Sequence, residues 1–287
     1  MSLRLSVVVP TCGRPELLSR CLEALERQSL PRQAYEIVVV EDRERRGPAW
    51  ARNRGWQRAR TPLVAFTDDD CLPHPEWLAR GLEALAAGAD AVCGRIVMPL
   101  AGVPTDYERD AQGLERAEFV TANCFLRKTM LEHLRGFDER FELAWREDSD
   151  LHFRLLEAGA RLVCEPRAVV VHPVRPAPWG VSLSQQRKVM FDALLFKKHP
   201  RLYRERIRAA PRWDYYLTVG MLLLGFFKPL FLIFWAALTL RFFLHRMRGT
   251  VRTPGHLIEM LVTSIAIPPL AVFWRIAGAL RFKVAFV

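Results

Sequence analysis

Three consecutive carboxylates, Asp68-Asp69-Asp70, directly follow the apolar run Leu63-Val64-Ala65-Phe66. Such a run reads as a buried strand, and open α/β sheets bind ligands beyond the C-terminal ends of their strands. Adjacent acids repel one another, and a cation among them offsets that repulsion. A hard divalent ion such as Mg2+ takes one or two carboxylates together with substrate phosphates. The competing reading is a solvated acidic turn in which Asp70 or a neighbour caps the next helix. A second acidic pair, Glu147-Asp148, opens a stretch whose apolar positions are Leu151, Phe153, Leu155 and Leu156. A carboxylate there suits general-base chemistry if burial or a neighbouring acid raises its pKa. Acids in a first helical turn also simply favour the helix dipole.

The elements that must position these acids are legible around them. Leu5-Ser6-Val7-Val8-Val9-Pro10 predicts a central strand that ends at Thr11, and Ile37-Val38-Val39-Val40 a second that ends in Glu41-Asp42. Pro15 suits a helix first turn, and Leu17, Leu18, Cys21, Leu22 and Leu25 recur at helical spacing. Helices are also predicted over 47–59, which contains Ala51-Arg52-Asn53-Arg54-Gly55, and over 75–87; a fourth strand is predicted over 91–97. Strands alternating with helices through short connections predict a mostly parallel sheet covered on both faces. The strand ends at Thr11, Asp42 and Asp68-Asp69-Asp70 would then share one edge. Neither GxGxxG nor GxxxxGK[ST] is present, so any phosphate charge would have to be met by a metal and arginines.

Five motifs in order give the pattern its specificity: VVVPTCGRPELLSRCLEAL, VVVEDRERRGPAWARNRG, FTDDDCLPHPEWL, TANCFLR, and RGFDERF followed by WREDSDL. Over residues 4–172 the chain resembles the family 2 glycosyltransferases of the GT-A fold, an α/β nucleotide-diphospho-sugar transferase fold with a Rossmann-like, mostly parallel sheet. The resemblance implies a nucleotide-sugar donor and a Mn2+ or Mg2+ cofactor, with Asp68 and Asp70 near donor ribose and metal. It implies Asp148 as general base and Glu147 as its orienting partner. A His after a late strand is a further metal ligand in related enzymes; here His172 follows the strand-like runs Arg161–Cys164 and Ala168–Val171. Thr11, Arg14 and Asp42 would line the base and ribose. Arg52 would contact the diphosphate or uridine, or else pair with strand-end acids. Asp69 would support rather than ligate, and Trp145 would stack on a sugar or sit in the core. The family's processive members carry Gln-x-x-Arg-Trp. Gln185-Gln186-Arg187-Lys188-Val189 departs from it, which favours one sugar per encounter.

The formal net charge of +11 is concentrated in one place: residues 201–287 hold thirteen Lys/Arg against three acids. A basic, apolar region on a near-neutral body points to an anionic surface, and its apolar runs favour a membrane over nucleic acid. We expect a catalytic domain over 1–200 and a membrane-binding region over 201–287. That region would hold two hydrophobic segments, 215–240 and 257–274, broken at Lys228-Pro229 and Pro268-Pro269. Turning at each proline would keep Arg241, Arg246, Arg248 and Arg252 on the cytosolic side. Six scattered cysteines without a CxxC pair argue against zinc and for a reducing compartment. Met1-Ser2-Leu3-Arg4 leads straight into the first strand without a signal-peptide pattern. The expected activity is an inverting, metal-dependent transfer of one sugar, UDP favoured as nucleotide, to a lipid-linked or cell-envelope glycan acceptor at the cytosolic membrane face. The alternatives are a membrane-anchored nucleotide-binding or scaffold module with a decayed site, and a nucleotidyltransferase; Gly13-Arg14-Pro15 is too slight a phosphate loop for the latter.

Overall fold

The computed structural model describes residues 3–286. Two compact units are present: Met1–Pro99 with Gly113–Val174, and Leu100–Gln112 with Arg175–Val287.

The first unit is built on a seven-stranded sheet: β1 Leu5–Thr11, β2 Tyr35–Glu41, β3 Leu63–Phe66, β4 Leu72–Pro73, β5 Ala91–Val97, β6 Cys124–Arg127 and β7 Leu162–Val171. Their spatial order is β2-β1-β3-β6-β5-β7-β4. β1 pairs in parallel with β2 and β3, and β5 with β7; β6 runs antiparallel between β3 and β5, and β4 antiparallel to β7. Every residue of β1 is buried, as its β-branched run requires of a central strand. The run 161–171 is one strand rather than two. Its register against β5 slips between Gly94 and Arg95, so Pro166, which has no N–H for a ladder, sits in the irregularity.

The helices are α1 Pro15–Glu26, α2 Pro48–Arg58, α3 Trp77–Ala86, α4 Asp106–Ala111, α5 Lys128–His133, α6 Glu147–Glu157, α7 Val181–Gln185, α8 Met190–Lys198, α9 Pro200–Leu202, α10 Trp213–Gly225, α11 Leu230–Arg246 and α12 Pro254–Phe282. Pro15 and Pro48 occupy first-turn positions, where the missing N–H costs nothing. α2 lies so close to β1 that a Cβ on Gly55 would stand 2.1 Å from Val8 Cγ1. The small residues of the Ala-Arg-Asn-Arg-Gly motif thus bring Arg52 and Asn53 against the sheet.

Asn53 is the hub of a polar lock. Its Oδ1 accepts from Phe137 N at 2.8 Å and Trp56 Nε1 at 2.9 Å, and its Nδ2 donates to Phe137 O and Glu139 Oε1, both at 2.9 Å. Gly136 turns against it at φ +65°, where an added Cβ would meet Asn53 Oδ1 at 2.3 Å. Arg154 closes the other side, donating to the carbonyls of Leu134 and Gly136 while pairing with buried Asp150. The Gly-Phe-Asp and Glu-Asp-x-Asp motifs are therefore one folding unit, which sets where α6 begins. Asn53→Ala leaves a buried amide and indole without partners, and we expect it to cost about 3 kcal/mol. Denaturant unfolding followed by tryptophan fluorescence measures this, and an unchanged midpoint counts against the lock.

The second unit is helical. α10 and α11 form an antiparallel hairpin: Gly225 abuts Leu232 near the turn, and Tyr215 meets Phe242 edge-on at 5.5 Å further down. The break at Lys228-Pro229 is thus a turn between helices. Phe226 and Phe227 at its tip are 79% and 84% exposed. The expectation of a second break is corrected: α12 continues through Pro268-Pro269. Its buried positions Met260, Thr263, Ser264, Ile267, Ala271, Arg275 and Gly278 keep helical phase across the pair. Packing along one continuous face therefore outweighs the roughly 3 kcal/mol that an interior proline costs. Among the described residues, α12 is the one helix long and apolar enough to cross a membrane by length and composition. Arg246 is not a surface charge. It is buried, makes two bonds to Asp106 Oδ2 (2.7 and 3.1 Å), and donates to Thr263 and Ser264. This pair fixes α4, on the segment 100–112, within the helical unit.

Candidate active site

The acid triplet leaves β3 at the C-terminal edge of the sheet, and its three members have different surroundings. Asp69 is fully buried and holds the first loop: Thr11 Oγ1 donates to Oδ2 at 2.7 Å, and Arg14 Nη2 lies 2.8 Å from Oδ1. Burial raises the Asp69 pKa, opposed by Thr11 and Arg14. Asp69 thus ties Thr11 and Arg14 to the end of β3. Asp42 is buried as well; its oxygens accept from the amides of Arg46 (2.9 Å) and Gly47 (2.7 Å), so it shapes the loop entering α2.

Arg52, only 3% exposed, bridges two acids 79 positions apart in the chain. Nη2 reaches Asp68 Oδ1 at 2.7 Å and Nη1 reaches Glu147 Oε1 at 3.0 Å. Burial works against its charge, but Asp68 and Glu147 outweigh it and the guanidinium stays protonated. Burial likewise opposes the Asp68 charge, yet Arg52 and then His172 hold its carboxyl below the ordinary range. Arg52 thus forms ion pairs with a strand-end acid and with the first residue of α6.

Glu147 and Asp148 begin α6 directly after Arg146, which adopts a left-handed φ of 74°. The Arg146 guanidinium covers the Trp145 ring at 4.4 Å. Burial and then Asp148 push Glu147 up to about 7, against the pull of Arg52; its Oε2 has no hydrogen-bond partner among the described residues. Asp148 is less enclosed; its Oδ1 accepts from Ser149 N at 2.6 Å, and burial raises its pKa too. Two adjacent carboxyls differ in setting: one is locked onto an arginine and the other is partly open.

His172 follows β7, its amide bound to Val97 O at 2.8 Å, and its Nε2 stands 3.6 Å from Asp70 Oδ1. One ligand atom each from Asp70, Cys71 and His172 lies within 4.8 Å of the others. The Cys71 thiol is held well above its ordinary pKa, by burial first, and stays protonated. A hard cation would therefore take Asp70 and His172, and the orphaned His172 Nδ1 leaves that ring free of a competing bond. Asp68 is outside that trio of donors and spends one oxygen on Arg52. The carboxylate and imidazole thus fit a Mn2+ or Mg2+ site open to further ligands.

Sequence reasoning missed the Asn53 lock and the role of Asn123. Asn123 Nδ2 joins Arg95 O and Ala168 O, each at 2.9 Å, and its Oδ1 accepts from Trp77 Nε1 at 2.8 Å. It ties β5, β7 and α3 together just before His172. The Thr-Ala-Asn motif carried that signal without showing its partners.

Comparison with known proteins bears on the fold and the family. Residues 41–139 match the family described as Glycosyl transferase family 2. The chain is 25% identical to "Glycosyltransferase AglE" of Haloferax volcanii, over 76% of this chain and 81% of that protein. It is 35% identical to "Pre-mycofactocin glycosyltransferase" of Mycobacterium tuberculosis, over 49% of this chain and 33% of that protein. Among solved structures it is similar to the mannosyltransferase PcManGT of Pyrobaculum calidifontis in complex with GDP-Man and Mn2+. The TM-score is 0.55 and the identity 19%, covering 99% of this chain and 88% of that one. The fold is GT-A-like.

Proposed function

The chain is a family 2 glycosyltransferase, and from that premise we propose a specific reaction. It moves one sugar, with inversion, from a nucleotide-sugar donor, preferably UDP-linked, to a lipid-linked or cell-envelope glycan acceptor at the cytosolic membrane face. The observation that carries this reading is the presence at one sheet edge of Asp68, joined through Arg52 to Glu147 beside Asp148, and of the neighbouring Asp70 and His172.

Asp70 and His172, with Asp68 beside them, would hold a divalent ion, which when bound neutralises charge on the departing diphosphate. Thr11 and Arg14, held by Asp69, face the nucleotide. Asp148 takes the proton of the acceptor hydroxyl as that oxygen bonds to the anomeric carbon and the bond to the diphosphate breaks on the opposite face. A single displacement of this kind inverts the centre. Glu147, fixed on Arg52, holds the start of α6 and therefore Asp148 in place. The nucleotide sugar and Mn2+ in the mannosyltransferase complex agree in kind with this donor class and ion.

The exposed apolar residues of α10 and α11 support the membrane assignment. The 13 residues of α10 rise about 20 Å, short of the roughly 30 Å hydrocarbon core, so the hairpin enters with Phe226-Phe227 deepest.

A donor panel tests the proposal. Purified protein with Mn2+ should release nucleotide from one nucleotide sugar and transfer the sugar to a lipid-linked acceptor. Chelation with EDTA should reduce release to background, and excess Mn2+ should restore it. Nucleotide binding without release from any donor would instead favour the decayed, scaffolding module.

A further inference from the structure

The helical unit holds a cationic cluster that the sugar-transfer reaction does not use. Arg275 of α12 is 3% exposed, and its Cζ stands 4.4 Å over the Phe286 ring. Among the described residues no carboxylate pairs with it, and its Nε has no hydrogen-bond partner. Phe286 packs in turn on Tyr203 (5.6 Å) and Phe196 (5.4 Å), and Arg204 covers Phe196 at 4.7 Å. The π-turn Tyr203–Ile207 ends with Arg208 N bonded to Tyr203 O at 2.9 Å, which ties the Arg208 backbone to a residue of the same aromatic knot. Burial and then the nearby charges of Arg212 and Arg275 hold the Arg208 pKa below its ordinary value. Arg212 is satisfied by Asp214 at 2.7 and 2.9 Å, whereas among the described residues Arg275 has no such partner.

A buried guanidinium without a counter-charge is costly, and the cost is removed when an anion completes the site. Guanidinium forks match phosphate oxygens two at a time. We propose that Arg275 and Arg208, with Arg204 beside them, bind a phosphate group. Arg208 and Arg204 are exposed and meet the ligand first, and Arg275 meets it within. Five arginines of residues 201–212 immediately precede the apolar hairpin, where lipid headgroups lie against a membrane-bound protein. The site's chemistry serves a lipid phosphate or a free one, and the test separates them.

The full chain in neutral detergent would be melted in inorganic phosphate against chloride at equal ionic strength. It would also be melted in micelles doped with phosphatidic acid or phosphatidylglycerol against phosphatidylcholine. We expect a rise of several degrees with at least one phosphate probe. A rise with inorganic phosphate alone identifies a free anion as the ligand, and a larger rise with the anionic lipids identifies a headgroup. Arg275→Met should melt higher than the parent chain in chloride, because an unpaired buried charge is gone, and should lose the phosphate increment. Arg208→Gln, at an exposed position, should fold normally and bind about tenfold more weakly. No rise with any probe, or the same rise in both variants, overturns the proposal. If Arg275→Met does not fold, Arg208→Gln decides alone.

Discussion

Asp148→Asn should lower turnover by a factor of roughly 10² to 10⁴, the range a positioned general base supplies. The amide keeps the shape of the side chain and its bond from Ser149 N, so the melting midpoint and the donor KM should hardly move. The pH profile gives a second readout. Burial raises the Asp148 pKa, so the parent enzyme should lose activity as pH falls through that pKa and the base becomes protonated. The residual rate of Asp148→Asn should lack this acidic limb. Glu147→Gln separates the two carboxyls. It also slows the reaction, but it replaces the charge-assisted bond from Arg52 Nη1 with a bond to a neutral amide oxygen and therefore changes stability, which Asp148→Asn does not. Turnover at the parent level in Asp148→Asn would remove Asp148 from the mechanism.

The parts of this site that the sequence discloses are those carried by local pattern. Strand ends are visible because β-branched apolar runs stop at polar residues, so Thr11, Asp42 and Asp68-Asp69-Asp70 could be placed on one edge in advance. The start of α6 at Glu147 is visible for the same reason. The rest depends on pairings across long sequence separations. Arg52 meets Glu147 95 positions away, and Arg246 meets Asp106 at a separation of 140. Nothing local marks either arginine as buried. Arg246 was counted among the charges that orient a membrane segment, yet Asp106 neutralises it inside the helical unit, which weakens that count. β6 is too short, and its partners too distant, for its antiparallel direction to be read from Cys124–Arg127. Pro268-Pro269 misled through a correct local rule that continuous helix packing overrode.

The same long-range pairing makes Arg52 the residue whose loss should most affect stability. Arg52→Leu leaves Glu147, buried, and Asp68, about three-quarters buried, without their shared cation. Breaking a buried ion pair from one side costs about 3–5 kcal/mol, chiefly through the charge left behind. That cost depends on whether the acids are ionised. Glu147 already sits high, at about 7 against an ordinary 4.5, so its ionisation destabilises the fold as pH rises through that interval. Asp68 is the opposite case. Its folded pKa lies below 3.8, so it contributes stability above that value and loses it as pH falls further. Without Arg52 both carboxyls should titrate upward, so the variant sheds their charge at a higher pH than the parent chain, in which Asp68 stays ionised to below 3.8. The gap between Arg52→Leu and the parent chain should therefore be full near pH 8 and shrink toward pH 4. Denaturant unfolding at pH 4, 6 and 8 measures it. Arg52→Lys, a point charge that cannot fork to both acids, should fall between the two. A loss that is the same at all three pH values would mean that Arg52 acts through packing against Phe137, whose ring centroid lies 5.9 Å from its Cζ, and not through the two acids.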